Sequence, residues 1–148
     1  MTNILENPGK YREIQVYLGR GRLASKHIPS PPDLVSQEIK RLVKWVKENS
    51  KKVHPVVLAC FAHHLFIAIH PFIDGNGRVG RLILHFLLHK NGYPPVNILN
   101  KEKIKYVDCL EKARDGNLKP FADFISQHIL SYKSYISEKI RKKRKRSK

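Results

Sequence analysis

The sequence predicts an all-α fold, a helical bundle carrying one small β-hairpin. Two observations favour helices. Apolar residues recur at helical spacing in several long segments, each bounded by Pro, Gly or Asn. One of these, Val56 to Ile69, is apolar on nearly every face, as the middle helix of a bundle must be. A third observation adds the hairpin: residues 13–29 alternate weakly around Gly19-Arg20-Gly21 and end at His27-Ile28-Pro29.

Each element has its own local reason. Pro31-Pro32-Asp33 opens the first helix, because proline's fixed φ suits a first turn and its missing N–H costs nothing there. Val35, Ile39, Leu42, Val43 and Val46 then share one face. The second helix starts at His54-Pro55 and runs to about His70. The third begins near Arg78, runs to about Lys90 and is stopped by Asn91-Gly92, a residue pair suited to a helix C-cap. The fourth spans about Lys101 to Arg114, ended by Asp115-Gly116. The fifth follows Asn117, holds Pro120 in its first turn and continues through Ile125, Ile129 and Tyr132. Beyond Lys139 the chain is polybasic, and a disordered tail is expected. Residues 1–130 are read as the domain core, and 131–148 as the end of the last helix plus the tail.

At 148 residues and 41% hydrophobic content the chain suits one domain with a single core. Its net charge is +17, and residues 139–148 hold eight basic residues and no acid. Such a balance favours acidic partners, phosphorylated ligands or nucleic acid, so polyanion binding through the tail is expected. The tail lacks interleaved aromatic residues, so base stacking is not suggested. Cys60 and Cys109 lie in apolar helical contexts and read as buried, reduced thiols. The N-terminus shows no secretory pattern. Val56 to Ile69 contains His63 and His64 and is shorter than the roughly 20 residues a membrane span needs. A cytoplasmic location is expected, with nuclear or secreted-effector destinations left open.

The chemistry concentrates in His70-Pro71-Phe72-Ile73-Asp74-Gly75-Asn76-Gly77-Arg78-Val79-Gly80-Arg81. An apolar helix ends at a titratable base, a tight turn follows, and a new helix starts. Gly75 and Gly77 allow positive φ and let backbone N–H groups converge on an anion. The positive end of the new helix adds to that field. Arg78 and Arg81 are three apart and project from one face of its first turn. His70 can take a proton near neutral pH. Asp74 is a candidate Mg²⁺ ligand, since that ion usually binds one or two carboxylates plus phosphate oxygens. Phe72 reads as an apolar anchor for the loop.

This string resembles the motif of the Fic family (the Fic/DOC superfamily of protein adenylyltransferases), H-P-F-x-[DE]-G-N-G-R-x-x-R, at every specified position. Gly9-Lys10-Tyr11-Arg12 through Val16, His27-Ile28-Pro29, Trp45 with His54-Pro55, Gly92-Tyr93-Pro94-Pro95 and Gly116 to Phe121 extend the likeness over roughly residues 9–130. The similarity is to the core region only, and greatest to members whose inhibitory helix lies N-terminal to that core. It implies a Fic fold with a hairpin flap at about 13–29 and a catalytic loop at 70–81. It implies transfer of AMP from ATP to a Ser, Thr or Tyr hydroxyl of a target protein, with release of pyrophosphate. By this resemblance His70 is the catalytic base and Asp74 holds Mg²⁺. Gly75, Asn76, Gly77, Arg78 and Arg81 hold the phosphates, and Tyr106 and Glu111 border the adenine pocket. A position often Asn in the family is Arg114 here, which bears on base recognition. Lys26, His27 and Ile28 are the flap edge that pairs with the target segment. Gly75-Asn76-Gly77-Arg78 is the form linked to AMP transfer, as opposed to the loop variants that transfer other groups.

Family members are commonly restrained by a helix with [ST]-x-x-x-E-[GN], whose Glu pairs with the second motif Arg. Thr2 to Asn7 fits that pattern, but it lies too close to Gly9 and runs into Pro8. Ser134 to Glu138 fits until Lys139 breaks the last position. Neither Glu6 nor Glu138 is therefore read as a brake, and the chain reads as a minimal core, with a separate regulatory chain, a fragment or an unrestrained effector as the open options. Removal of AMP, or a non-catalytic basic nucleic-acid-binding or scaffold role on the same core, are the alternative functions. His85 and His89 stand four apart, a spacing that can hold a metal, but read as helix-surface histidines near a C-terminus.

Overall fold

The computed structural model describes residues 9–18 and 27–146, with side chains as far as Arg141. Its described residues form five α-helices: α1 (Val35–Asn49), α2 (Pro55–Ile69), α3 (Asn76–Lys90), α4 (Lys103–Arg114) and α5 (Lys119–Arg146). Short 3₁₀ turns at Pro32–Leu34 and Asn100–Glu102 lead into α1 and α4. The all-α bundle that the periodicity predicts is the fold observed. Of the first four helices, α2 alone starts on a side-chain cap. His54 caps α2, its Nδ1 accepting from the Val56 N–H at 3.3 Å, and Pro55 occupies the first helical position.

Helix α2 is the centre. Ten of its fifteen residues are buried, and it touches all four other helices. Phe121, Phe124, Ile125 and Ile129 of α5 and Leu84, Leu87 and Leu88 of α3 close the core around it. Trp45 of α1 stacks on Phe61 of α2 with ring centroids 4.3 Å apart. Even the polar members of α2 lie inside. His63 is fully buried and hydrogen-bonded through Nε2 to the Tyr106 hydroxyl of α4 at 2.7 Å. Burial pushes both His63 and His64 down to about 4, so they sit in the core as neutral imidazoles. Cys60 and Cys109 are free thiols in buried positions, as the sequence suggested.

Three local features differ from, or extend, the sequence reading. Residues 13–18 and 27–29 form no strand, and the turn expected at Gly19-Arg20-Gly21 lies outside the described residues. The two legs nevertheless meet where the Gln15 side-chain amide donates to the Pro29 carbonyl at 3.0 Å. His85 is half-buried and not a surface residue. Its Nε2–H donates to the Val96 carbonyl at 2.8 Å and straps that segment onto α3, while His89 is exposed. The polybasic end is helical as far as Arg146, where disorder was expected. Lys and Arg are good helix formers, no Gly or Pro interrupts the run, and cations at a helix C-terminus suit its dipole. From Leu130 to Arg141 every side chain of α5 is exposed, including Tyr132, Ile136 and Ile140. No helix of the described residues is long and apolar enough to cross a membrane.

Helices α2 and α3 approach closely at Gly80. A Cβ there would lie 2.8 Å from Ile67 Cδ1 and 3.2 Å from the His63 ring. A side chain there needs Ile67 and the His63 ring to shift, which favours glycine against its poor helix propensity. Replacing it overpacks the junction that carries the motif loop. We expect Gly80→Val to lower the unfolding free energy by about 1–3 kcal/mol. Urea denaturation followed by circular dichroism measures this, and a variant as stable as the parent would show that Ile67 and His63 give way without cost.

Candidate active site

The site is built where α2 ends and α3 begins. His70 takes a left-handed backbone conformation (φ 53, ψ 61) and is the only non-glycine residue with positive φ among the described residues. The turn ends the helix and swings the chain into the loop. Its N–H still bonds the Phe66 carbonyl at 3.0 Å. Such a conformation costs free energy for any residue with a Cβ and persists only where neighbours enforce it. The neighbours are visible. The His70 carbonyl accepts from Arg12 Nε at 2.8 Å, and the His70 ring bonds back to the Ile67 carbonyl through Nδ1 at 3.3 Å.

That ring contact fixes the chemistry of the imidazole. A carbonyl oxygen can only accept, so Nδ1 carries the hydrogen and Nε2 is left with a free lone pair. Burial holds the His70 pKa below its ordinary 6.5, and the positive charges of Arg12 and Arg114 act in the same direction. The bond to the Ile67 carbonyl opposes them. The balance is a neutral base at physiological pH.

Asn76 shapes the loop that follows. Its side chain is buried, accepts from the Phe72 N–H at 2.9 Å and donates to the Phe72 carbonyl at 2.6 Å. Both polar atoms of the amide are therefore committed to the loop. One amide N–H remains beyond the bond to Phe72, and Asn76 also presents its backbone N–H in the first turn of α3. Phe72 is held from the other side by Tyr11 and Phe66, with ring centroids 5.8 and 6.3 Å away. It is the apolar anchor the sequence suggested. Gly75 (φ 86) makes the sharp entry into α3, and its N–H donates to Asp74 Oδ1 at 2.6 Å.

His70, Asp74, Gly75, Asn76, Gly77, Arg78 and Arg81 line one cleft of about 260 Å³, together with Ile73. That size suits phosphate groups better than a whole nucleotide. Asp74 and Arg78 face each other across it, Oδ2 to Nη2 at 3.1 Å, with both side chains about two-thirds exposed. An ion pair so exposed is weak and exchanges easily for an incoming cation on one side and an anion on the other. A lone exposed carboxylate beside a phosphate cradle fits Mg²⁺, which commonly takes the rest of its shell from phosphates and water. Among the described residues no group of three or more His, Cys, Asp or Glu stands ready to hold a metal without such help.

The remaining sequence candidates are not gathered in the cleft. Tyr106 and Glu111 lie on α4, outside the lining residues. The Tyr106 hydroxyl is engaged by His63, and Glu111 pairs with Arg114, whose side chain is 10% exposed. Arg81 and Arg114 are both close enough to Tyr106 to favour its ionised form, although burial outweighs them and pushes its pKa up to about 12. Of the flap residues, Lys26 lies outside the described residues. His27 Nε2–H donates to the Ala68 carbonyl of α2 at 3.1 Å, and Ile28 is 63% exposed. Thr2 to Asn7, with Glu6, also lies outside the described residues, and Glu138 is on the exposed end of α5.

Sequence reasoning missed Arg12. It is 2% exposed, and its guanidinium donates to four backbone carbonyls, those of His70, Ile14, Ser30 and Ile69. The only hint was its place in the Gly9 to Val16 stretch. An arginine in a short loop otherwise reads as solvated.

Comparisons with known proteins bear on the family and the fold. A family model described as Fic/DOC family matches residues 1–88. The protein adenylyltransferase Fic of Drosophila melanogaster is 40% identical over 119 residues, which are 80% of this chain and 23% of that protein. The chain thus spans less than a quarter of the length of the curated relative it matches. Among solved structures, a Fic family protein from Desulfovibrio desulfuricans G20 superposes with a TM-score of 0.79 at 29% identity, covering 94% of this chain and 44% of that one. Fic-1 from C. elegans gives a TM-score of 0.66 at 33% identity, covering 74% of this chain and 33% of that one.

The neutral-base arrangement is directly measurable. His70 should titrate below the 6.5 of a free histidine, because burial and the guanidiniums of Arg12 and Arg114 all disfavour its charged form. Its imidazole resonances followed by NMR against pH give the midpoint, and a value at or above 6.5 would contradict the environment described.

Proposed function

Because the chain belongs to the Fic/DOC family, we propose that it transfers AMP from ATP to a Ser, Thr or Tyr hydroxyl of a target protein and releases pyrophosphate. The observation that supports this best is the convergence of His70, Asp74, Gly75, Gly77, Arg78 and Arg81 on one cleft, with the base held neutral and its Nε2 unprotonated. The 40% identity to proteins named protein adenylyltransferase Fic supports it independently.

In this mechanism the target hydroxyl gives its proton to His70 Nε2 as its oxygen attacks the α-phosphorus. The bond from that phosphorus to the β-bridging oxygen breaks, and pyrophosphate leaves with the electron pair. Gly75 makes the sharp entry into α3, the backbone N–H groups of Asn76 and Gly77 hold the phosphate oxygens, and the α3 dipole adds to their effect. Arg78 and Arg81 offset the charge that builds on the departing pyrophosphate. Asp74 would hold Mg²⁺, which supplies charge neutralisation and phosphate orientation when bound. Catalysis is then mostly positioning and electrostatics, as phosphoryl-type transfers generally are.

The flap belongs to the same reading. Ile28 is exposed beside α2, in keeping with an edge that receives an extended target segment. Arg81 is exposed at the cleft, so a carboxylate from a separate regulatory chain could reach it. The eight basic residues of 139–148 support polyanion binding at the end of α5. Two buried free thiols support a reducing, cytoplasmic setting.

Removing the base should separate chemistry from binding. His70→Asn is the suitable variant, since Asn tolerates the left-handed conformation that His70 adopts. Transfer from α-labelled ATP should fall by about 10²–10⁴-fold, with Mg·ATP affinity nearly unchanged. Turnover within threefold of the parent would remove His70 from the mechanism.

Asp74→Ala should act on the other term. Calorimetric titration with ATP should show its Mg²⁺-dependent affinity lost, while binding in the absence of the metal changes little. Equal Mg²⁺ dependence in parent and variant would rule out Asp74 as a ligand.

A further inference from the structure

We propose that Arg12 is a positioning residue for the transfer step: one buried guanidinium fixes the base and both legs of the flap in a single frame. The proposal rests on the reading of His70 as the base.

The geometry is specific. Nε donates to the His70 carbonyl at 2.8 Å, and Nη1 to the Ile14 carbonyl at 2.9 Å. Nη2 serves two acceptors, the Ile69 carbonyl at 3.3 Å and the Ser30 carbonyl. The Arg12 backbone N–H adds a bond to the Pro71 carbonyl at 2.9 Å. These acceptors come from three places in the chain: the exit of α2, the outgoing leg of the flap and the returning leg. Arginine's planar fork with five N–H groups can serve all of them at once, whereas a lysine ammonium has three donors and no fixed plane. The guanidinium lies almost wholly inside the protein, so each of its bonds has no ready substitute in water.

Its placement matters for a reaction that needs alignment. The strained φ of His70 is enforced at its own carbonyl by Arg12 and on the ring side by the Ile67 carbonyl. The Ile14 and Ser30 carbonyls stand at the base of the flap, where its legs meet the body. A shift of the flap relative to His70 therefore needs the guanidinium to give up bonds on one side or the other. Misplacement of reacting groups by about 1 Å can cost on the order of 10²-fold in rate. The hydrogen-bond partners of Arg12 include none of residues 74–81, so nucleotide binding is left to those residues.

The test uses the full chain with Arg12→Lys and Arg12→Gln, reading kcat and KM for ATP and for a hydroxyl-bearing target or self-modification. Arg12→Lys keeps the charge but not the fork, and it serves if Arg12→Gln fails to fold. The expected result is a fall of about 10–100-fold in kcat, with KM for ATP within about threefold of the parent and Arg12→Gln the worse of the two. A folded Arg12→Lys chain with kcat within threefold of the parent overturns the proposal. So does a parallel loss of ATP affinity and turnover, which marks a general structural role. A second readout does not depend on activity. In the parent, ¹⁵N shifts of His70 should report the Nδ1–H tautomer, and in Arg12→Lys a mixture of tautomers. If the parent transfers nothing from ATP, the adenylyl-transfer reading fails and the tautomer measurement alone decides for Arg12. An unchanged tautomer then overturns its positioning role, and a mixed one supports it.

Discussion

The structure turns on a requirement of α2. A helix leaves its last carbonyls without intrahelical partners, and a helix buried along most of its length has little water to hand them to. Each of those carbonyls has found a partner. Ile67 accepts from the His70 ring, Ala68 from His27, and Ile69 and His70 from Arg12. The partners are the His70 imidazole, His27 in the segment before α1, and Arg12, which ties the N-terminal segment to both. A hydrogen-bonding need created by a hydrophobic helix thereby organises the polar end of the molecule. The motif loop inherits a fixed origin, and α3 starts from it with its N–H groups turned to the cleft.

The site's electrostatics follow from the same burial. The imidazole is kept neutral mainly because its surroundings exclude water, and the cations of Arg12 and Arg114 reinforce that preference. The phosphate side of the cleft is open and carries Arg78 and Arg81 with one weakly paired carboxylate. Desolvation acts where a base must stay uncharged, and exposure where charged groups must exchange partners. The two environments lie within a few residues because the chain passes from core to surface in a single turn.

Much of this was legible in the sequence. The five helices followed from apolar periodicity and from Pro, Gly and Asn punctuation, and the twelve-residue motif could be read directly because its parts are neighbours in the chain. What escaped was non-local. Arg12 meets partners far away in sequence, and no pattern within residues 9–16 shows that it is buried. Asn76 is in the motif, yet its role as the clasp of the loop needs the coordinates of Phe72. Tyr106 and Glu111 came from resemblance, and only the structure shows the first bonded to His63 and the second to Arg114. The polybasic end was misread because composition was weighed above helix propensity. His85 was misread because a polar residue near a helix end looks like surface until its acceptor is seen.

The exposed end of α5 has a colloidal consequence. Tyr132, Ile136 and Ile140 continue the face that Phe121, Ile125 and Ile129 bury further up the same helix. A sticky stripe is thus carried on a molecule of net charge +17. Between two such molecules, long-range repulsion opposes short-range apolar adhesion. At low ionic strength repulsion extends over tens of ångströms and keeps copies apart, whereas near 1 M salt it shrinks to about 3 Å while the apolar attraction is undiminished. Added salt therefore favours association of copies through this stripe.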